Sequence, residues 1–488
     1  MKTNICLWML LLLMGGCGDF LEESSQDFVR PSSLQDLEQM LLGDGYQVSH
    51  EFYKLTNIFT DNIENYGVAA SMFQAVHDSK KWKYTWDKNM FTEAGNGYEP
   101  LCWEVPYKRI LGCNIVLDHL DKMDGNARVR ESVRGEALTL RAWYYLHLVN
   151  LFGIAYNQGS PATDPGVPLK LTSAVTDEFF TRNTVQEAYS RIEKDLLEGN
   201  RLLVQYNQNL NFLRIGHLAA KSMLSRMYLY LEDWDKALAY ADSVLMEKND
   251  LLDLNTVDWK SGNHMYYSIP GVYNMTTSDE VVWGRSETYT GRTYVTVPYI
   301  QPYTISKNFM EVYGVNENQV RGNTIADIRA RAYLVWGMTQ PTRLFYGDDM
   351  VQTSTGKLSF QGIRTAELYL NRAEAYIQKY LKEGNEAYRT AALADLNKLR
   401  RARFNNAYVY QEIDISDGQR LLEFCIDERR RELCAESNHR WCDLRRYGMT
   451  VEHVLVEAGR TTYTNDMSRY VLPIPELVLE QNPRLIQN

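Results

Sequence analysis

From Ser33 onward, apolar residues recur at three- and four-residue steps, the spacing of helices with one buried face. Leu34, Leu37, Met40 and Leu41 form the first stripe, and Ser33 is placed to cap it. Trp103, Tyr107, Ile110, Leu117 and Leu120 form a second. The run Arg134-Gly135-Glu136-Ala137-Leu138-Thr139-Leu140-Arg141-Ala142-Trp143-Tyr144-Tyr145 continues into Leu148, Val149, Phe152 and Gly153. Its mixture of small and large residues suits helix-on-helix packing. Thr181 to Thr184 precede a stripe of Val185, Tyr189, Ile192, Leu196 and Leu197. Two helical hairpins follow from the same spacing. The first joins Ile215–Leu231 to Trp234–Leu245 through Asp233-Trp234-Asp235. The second spans Thr365 to Arg403, with Ile363, Ala366, Leu370, Ala373 and Ile377 against Ala391, Leu393, Leu396 and Leu399.

Ala and Tyr at the contact positions of these hairpins allow close stacking, so each resembles a tetratricopeptide unit. Elsewhere the periodicity fails. Residues 62–100 are irregular and rich in aromatics, and Pro161 to Pro168 reads as a loop. From Leu251 to Phe360 Gly and Thr increase; Val281-Val282-Trp283 reads as a short strand and Ile325 to Trp336 as a short helix. The expected fold class is therefore mainly α: a tetratricopeptide-like helical-repeat scaffold with a large irregular, loop-rich excursion carrying short strands. The expected division is a leader (1–16), a tether (17–33) and one domain (34–488). That domain splits into a helical N-terminal part (34–250), the excursion (251–360) and a helical C-terminal part (361–488).

The leader carries Lys2 and an apolar run from Ile5 to Met14, too short to span a bilayer as a helix. It ends in Leu13-Met14-Gly15-Gly16-Cys17, where small residues before a cysteine fit the lipobox of bacterial lipoproteins. Cys17 is then the lipidated N-terminus, and the expectation is a chain anchored to a membrane without spanning it. Ordinary secretory cleavage with an incidental Cys17 is the other reading. Five cysteines lie beyond it (Cys102, Cys113, Cys425, Cys434, Cys442), an odd number without a C-x-x-C pair, so buried free thiols are expected rather than a metal site or disulfide framework.

The densest chemistry is at Glu428-Arg-Arg-Arg-Glu-Leu-Cys-Ala-Glu-Ser-Asn-His-Arg-Trp-Cys-Asp-Leu-Arg-Arg-Tyr-Gly448. Apolar Leu421, Leu422, Cys425 and Ile426 lead into it at helical spacing. Asp427 has arginines at i+3 and i+4 and Glu428 one at i+3, so a helix would neutralise its charges locally. A catalytic carboxylate with arginine helpers is one reading. A structural ion-pair network built by Glu428, Arg429, Glu432, Arg440, Trp441, Asp443 and Arg445 is the other, and the one adopted, because such networks perturb charge states without doing chemistry.

This run closely resembles the E-R-R-x-E-L-x-x-E-x-x-R-W-x-D-L-R-R segment of the SusD/RagB family, nutrient-binding lipoproteins of the Bacteroidetes outer membrane. Ser437-Asn438-His439 departs from it, since the family often has a glycine there. Further matches are the W-x-x-x-Y-x-x-I-x-x-x-N pattern beginning at Trp103, the R-x-E-A-x-x-x-R-A segment beginning at Arg134, and the tail Leu472-Pro473-Ile474-Pro475 with Asn482-Pro483-Arg484-Leu485. Acidic Asp19, Glu22 and Glu23 resemble the family's surface-export signal. The resemblance implies a lipoprotein on the outer face of the outer membrane. It would bind glycan, oligosaccharide or peptide as a lid on a SusC-like TonB-dependent transporter, with no cofactor.

Composition agrees with a globular chain: 488 residues, 45% hydrophobic and 23% charged. A formal net charge of −10 argues against a nucleic-acid partner. No phosphate loop, H-E-x-x-H, G-x-S-x-G or dinucleotide fingerprint is present, so neither catalysis nor a metal is expected from a local motif. With 33 Tyr and 10 Trp, aromatics exceed what a core needs. If Lys81-Trp82-Lys83-Tyr84-Thr85-Trp86 is extended, Trp82, Tyr84 and Trp86 share a face. They then form either a platform for sugar rings or a half-buried strand facing the core. On the platform reading, Ala at both Trp82 and Trp86 abolishes binding and spares the fold. Tyr66 and Tyr98 bracket this segment. Tyr266, Tyr267, Tyr273, Tyr289, Tyr294, Tyr299 and Tyr303 populate the excursion as a second wall. Two other classes stay open: a surface glycoside hydrolase, whose carboxylate pair leaves no motif, and a helical-repeat scaffold that holds only proteins.

Overall fold

Local capping decides where the helices start. In this computed structural model, residues 31–46, 56–69, 71–92, 101–207, 213–256, 278–288, 302–314, 325–330, 358–434, 436–466 and 470–488 are described. Helix α1 (Leu34–Met40) opens at Ser33, whose hydroxyl accepts from the Asp36 amide. Strand β1 (Ile63–Asn65) and helix α2 (Gln74–Tyr84) follow. Long helices α3 (Leu101–His119), α4 (Ala127–Phe152) and α5 (Val185–Tyr206) come next. Thr184 and Glu187 make a reciprocal capping box on α5. Helices α6 (His217–Tyr230) and α7 (Trp234–Glu247) form the first hairpin, with Asp233 capping α7.

Each of these long helices packs on the next, α3 on α4, α4 on α5, α5 on α6 and α6 on α7. Helix α4 is buried from Gly135 to Phe152, which explains why its sequence is apolar nearly all round. Its close crossing with α5 requires two glycines: a Cβ on Gly135 would stand 3.2 Å from the Gly199 carbonyl oxygen, and one on Gly199 would stand 3.1 Å from that of Gly135.

The excursion is tied down by strands. β2 (Val281–Thr288) extends the expected short strand and pairs antiparallel with β4 (Leu358–Arg364), Val281 opposite Arg364. β3 (Tyr303–Ile305), followed by α8 (Lys307–Val312), pairs antiparallel with β1, Ile63 opposite Ile305. The helix expected over Ile325 to Trp336 is described only at 325–330, where Asp327 forms an isolated bridge with Phe404.

The second hairpin consists of α9 (Thr365–Glu383) and α10 (Glu386–Arg401), turned at Gly384 with φ 67°. Because α7 packs on α9, the helical row runs past the excursion as if uninterrupted. Each hairpin carries a stacked tyrosine pair at the same spacing. Tyr228 and Tyr240 have centroids 5.7 Å apart, Tyr376 and Tyr388 6.1 Å. The chain closes with α11 (Gly418–Glu432), α12 (His439–Arg446), the hairpin of β5 (Val451–Val456) and β6 (Arg460–Asn465), and α13 (Glu476–Gln481). Leu421, Leu422, Cys425 and Ile426 of α11 join a core cluster with α9 and α10, while Trp441 belongs to the larger cluster around α4. The cysteines from Cys102 to Cys442 are buried and unbridged.

Candidate functional site

Two regions hold the residues singled out from the sequence. The first is the end of α11 with α12. Fully buried Glu432 accepts from Arg403 (2.8 Å), Arg364 (2.7 Å) and Arg329 (2.9 Å). Arg364 and Arg403 also reach Glu280, at 2.5 and 2.9 Å. Arg364 makes a two-pronged contact with Glu436, both at 2.9 Å. Glu428 collects Arg329, Arg400 and Arg431 within 2.6–2.8 Å. Further along, Asp443 accepts from Arg446 at 2.9 Å, and Glu374 from Arg446 at 2.7 Å. Arg440 binds Asp61 through two nitrogens at 2.8 and 2.6 Å.

One expected pairing does not form. Arg430 turns inward to Asn62, Asn308 and the Asp61 carbonyl rather than pairing with Asp427 on its own helix. Arg445 likewise spends its charge on the carbonyls of Asn150 and Gly153. Trp441 donates to the Asn150 carbonyl at 3.0 Å and lies between the rings of Phe59 and Tyr470. Ser437 and Asn438, the departure from the family pattern, both hold left-handed backbone, φ 42° and 56°. That is the conformation a glycine adopts without strain.

This network clamps the excursion at its root. Glu280 stands where β2 begins and Arg364 where β4 ends, and Asp327 with Arg329 comes from between them. The arginines hold Glu432 well below the usual carboxylate range. Burial pushes Glu436 up to about 7, helped by Glu432 and Glu280 and opposed by Arg364. Burial and Arg226, Arg429 and Arg364 keep His439 well below its ordinary value, hence neutral at pH 7. The network carboxylates Glu280, Glu428, Glu432 and Glu436 are buried and committed to arginine. None is free for acid–base work on a substrate.

The second region is the aromatic segment, and its expected geometry is corrected. Residues Lys81 to Tyr84 are helical, not extended, so Trp82 and Tyr84 point to different sides of α2. A period-two pattern this short cannot be told from one helical turn; the preceding Gln74 to Lys80 continue the helix into it. Tyr84 (1% exposed) and Trp86 (5%) are core residues that hold the imidazole of His453 between them. The ring centroids are 4.0 and 4.1 Å away and the planes within 15°. Trp86 donates to the Phe59 carbonyl at 3.1 Å and has φ 51°, a backbone that a bulky residue keeps only when its surroundings hold it. Trp86 is thus a core residue and not part of an exposed platform, and its replacement by Ala is expected to cost stability.

His453 faces two carbonyls, with Nδ1 2.6 Å from Tyr84 and Nε2 3.0 Å from Thr60. Burial pulls its imidazole down to about 4, against those carbonyls and the Asp61 carboxylate, which push it up. Tyr303 is also buried and donates to the His77 carbonyl. Trp283 lies in the core edge-on to Trp143.

Trp82 and Tyr66 remain half-buried. Tyr66 follows β1, its hydroxyl 3.3 Å from the Ile305 carbonyl and its ring 6.0 Å from the Lys307 ammonium. Such rings can stack on a sugar while a neighbouring ammonium and carboxylate, here Lys307 and Glu64, bind hydroxyls. Tyr98, Tyr289, Tyr294 and Tyr299 lie outside the described residues, as do Tyr266, Tyr267, Tyr273 and Cys17. The partners Arg364, Arg403, Arg329, Glu280 and Asp61, and the stacked His453, went unnoticed in the sequence. Each is bound to partners far along the chain, which no local spacing reveals. Among the described residues no group of His, Cys, Asp and Glu could hold a metal ion, and no helix is long and apolar enough to cross a membrane.

A helical-repeat scaffold with a loop excursion clamped by buried ion pairs defines the class of protein. Residues 19–229 match the family model described as "Starch-binding associating with outer membrane", and residues 261–488 match that of the SusD family. The chain belongs to the SusD/RagB family. Among curated relatives it is 23% identical to SusD-like protein P38 of Formosa agariphila, over 82% of this chain and 81% of that one. It is 23% identical to SusD-like protein P2 of the same organism, over 100% and 99%. Similar solved structures include a putative sugar binding protein from Bacteroides vulgatus, with TM-score 0.65 and 21% identity over 94% of this chain and 99% of that one. Another is a SusD superfamily protein from Bacteroides thetaiotaomicron, with TM-score 0.65 and 19% identity over 93% and 99%.

Proposed function

We propose that this protein is a cell-surface lipoprotein, anchored through Cys17, that binds glycan or oligosaccharide and hands it to a SusC-like TonB-dependent transporter for import. It binds without catalysis. The supporting observation is the division of labour within the chain: the network carboxylates are locked to arginines, while Trp82 is half-buried and Tyr66 is half-buried beside Lys307 and Glu64. Tyr98, Tyr289, Tyr294 and Tyr299 complete the proposed binding surface. Several stacking contacts of this kind give modest affinity.

The test is electrophoresis of the chain from residue 18 through gels containing single plant, host or microbial polysaccharides. Retardation by one class, without release of reducing ends, supports the reading and names the ligand. Release of reducing ends overturns the non-catalytic part in favour of a hydrolase. Absence of retardation by any polysaccharide, oligosaccharide or peptide, with or without the co-purified transporter, overturns it in favour of a scaffold.

A further inference from the structure

Tyr66 lies between two strand pairs. On one side β1 pairs with β3, and the Tyr66 amide donates to the Pro302 carbonyl at 2.8 Å. On the other, the Val456 amide at the end of β5 donates to the Asn65 side chain at 2.8 Å. A Cβ on Gly67 would stand 3.0 Å from Val456 Cγ1. Arg460 opens β6 directly opposite Val456, so the two side chains leave the same face of that hairpin, about 5 Å apart at Cβ. Lys307 follows β3, its ammonium 6.0 Å from the Tyr66 ring centroid. One exposed cation thus flanks the ring on the β3 side, and another lies on the β5 side.

Each cation has a carboxylate near it that is engaged elsewhere. Glu64 accepts from the main-chain amide of Lys307 at 3.2 Å and from the Tyr66 hydroxyl at 3.4 Å, not from the Lys307 ammonium. Glu457, three residues before Arg460, lies 3.7 Å from the Lys81 ammonium. Among the described residues neither Lys307 nor Arg460 forms an ion pair. In the buried network, by contrast, Arg329, Arg364 and Arg403 each hold a carboxylate.

Single unpaired cations are ordinary on a surface. Two of them around one half-buried tyrosine are not, in a chain with a formal net charge of −10. Glu64 offsets one of the two charges, and Lys81 with Glu457 cancels, so the surroundings of the ring keep an excess positive charge. Such a spot draws in a negative group against the field of the whole chain.

We infer that, on the glycan-binding reading above, the sugar taken at Tyr66 is anionic, its carboxylate or sulfate held by Lys307 and Arg460. The planar fork of Arg460 fits either group through two parallel N–H donors, and Lys307 adds a point charge. The tyrosine ring supports the sugar's C–H face.

Native electrophoresis of the full-length chain in neutral detergent tests this. The gels contain polygalacturonate, alginate, chondroitin sulfate or a sulfated galactan, each beside its carboxyl-reduced or desulfated form, and a set of neutral polysaccharides. The expected result is retardation by an anionic polymer that is lost with its charge. Loss on carboxyl reduction identifies a uronate, and loss on desulfation identifies a sulfate. Lys307→Gln and Arg460→Gln each weaken that retardation about tenfold, the worth of one charge-assisted hydrogen bond. Lys382→Gln, which removes an exposed cation at the far end of α9, leaves it unchanged. Both site residues are exposed, and an unchanged circular dichroism spectrum verifies folding. Retardation by neutral polymers alone, or retardation indifferent to Lys307→Gln and Arg460→Gln, overturns the inference and leaves the glycan-binding reading standing. Absence of retardation by every polymer, neutral or charged, overturns both.

Discussion

The charge network at the end of α11 and the aromatic segment at the end of α2 are both buried, yet they resist burial differently. In the network, Glu432 is surrounded by three guanidinium groups contributed from three distant parts of the chain. In the aromatic segment, the one ionisable group between Tyr84 and Trp86 is an imidazole that burial keeps neutral. One region remains charged inside by recruiting opposite charges. The other sheds its charge and stacks. A cluster of opposite charges in sequence therefore announces a junction, whereas a cluster of aromatics does not reveal whether it faces core or solvent.

The strongest break in this comparison is Glu432→Ala. It leaves Arg329, Arg364 and Arg403 without their shared carboxylate and is expected to cost about 3–5 kcal/mol in denaturant unfolding. A loss below about 1 kcal/mol would mean the network is solvated and does not clamp the excursion. Trp86→Ala comes next, at about 3 kcal/mol, because it removes a buried ring, a hydrogen bond and one wall of the His453 stack.

The two regions also differ in the sign of their pH response. Glu436 has a folded value of about 7, above the ordinary 4.5. The stability it adds is full below pH 4.5 and is lost as pH rises to 7, about 2–3 kcal/mol in all. Its signature is a difference between wild type and Glu436→Gln that shrinks over that window. His453, held at about 4, works in the opposite sense: its contribution is present above pH 6.5 and is lost as pH falls toward 4. Unfolding curves of wild type, Glu436→Gln and His453→Gln between pH 4 and 8 separate the two, and slopes of the same sign would refute the assignment. The smallest effect on stability belongs to Trp82→Ala, below about 1 kcal/mol. The same change is expected to weaken binding of a retarded polysaccharide about tenfold. Unchanged retardation would remove Trp82 from the site.

Much of the fold is legible in the linear chain. Ser33, Thr184 and Asp233 mark helix starts through local hydrogen bonds, and the hairpins at 217–247 and 365–401 follow from apolar spacing. Such signals act within a few residues, so a linear reading captures them. Residues 428–446 were legible as a network for the same reason, although their partners were not. The Glu428–Arg431 pair is local and was visible, while Arg430 skips Asp427 for Asn62 on the far side of the chain.

What the chain by itself determined was the helical framework, the place where charge concentrates and the family to which the motifs point. Only the tertiary structure decided which aromatics are core and which are half-buried. It sent Tyr84 and Trp86 inward against His453 and left Trp82 and Tyr66 at the boundary. The reason is physical. Burial depends on what packs from elsewhere, here a strand more than three hundred residues downstream, and no spacing within the segment encodes that neighbour.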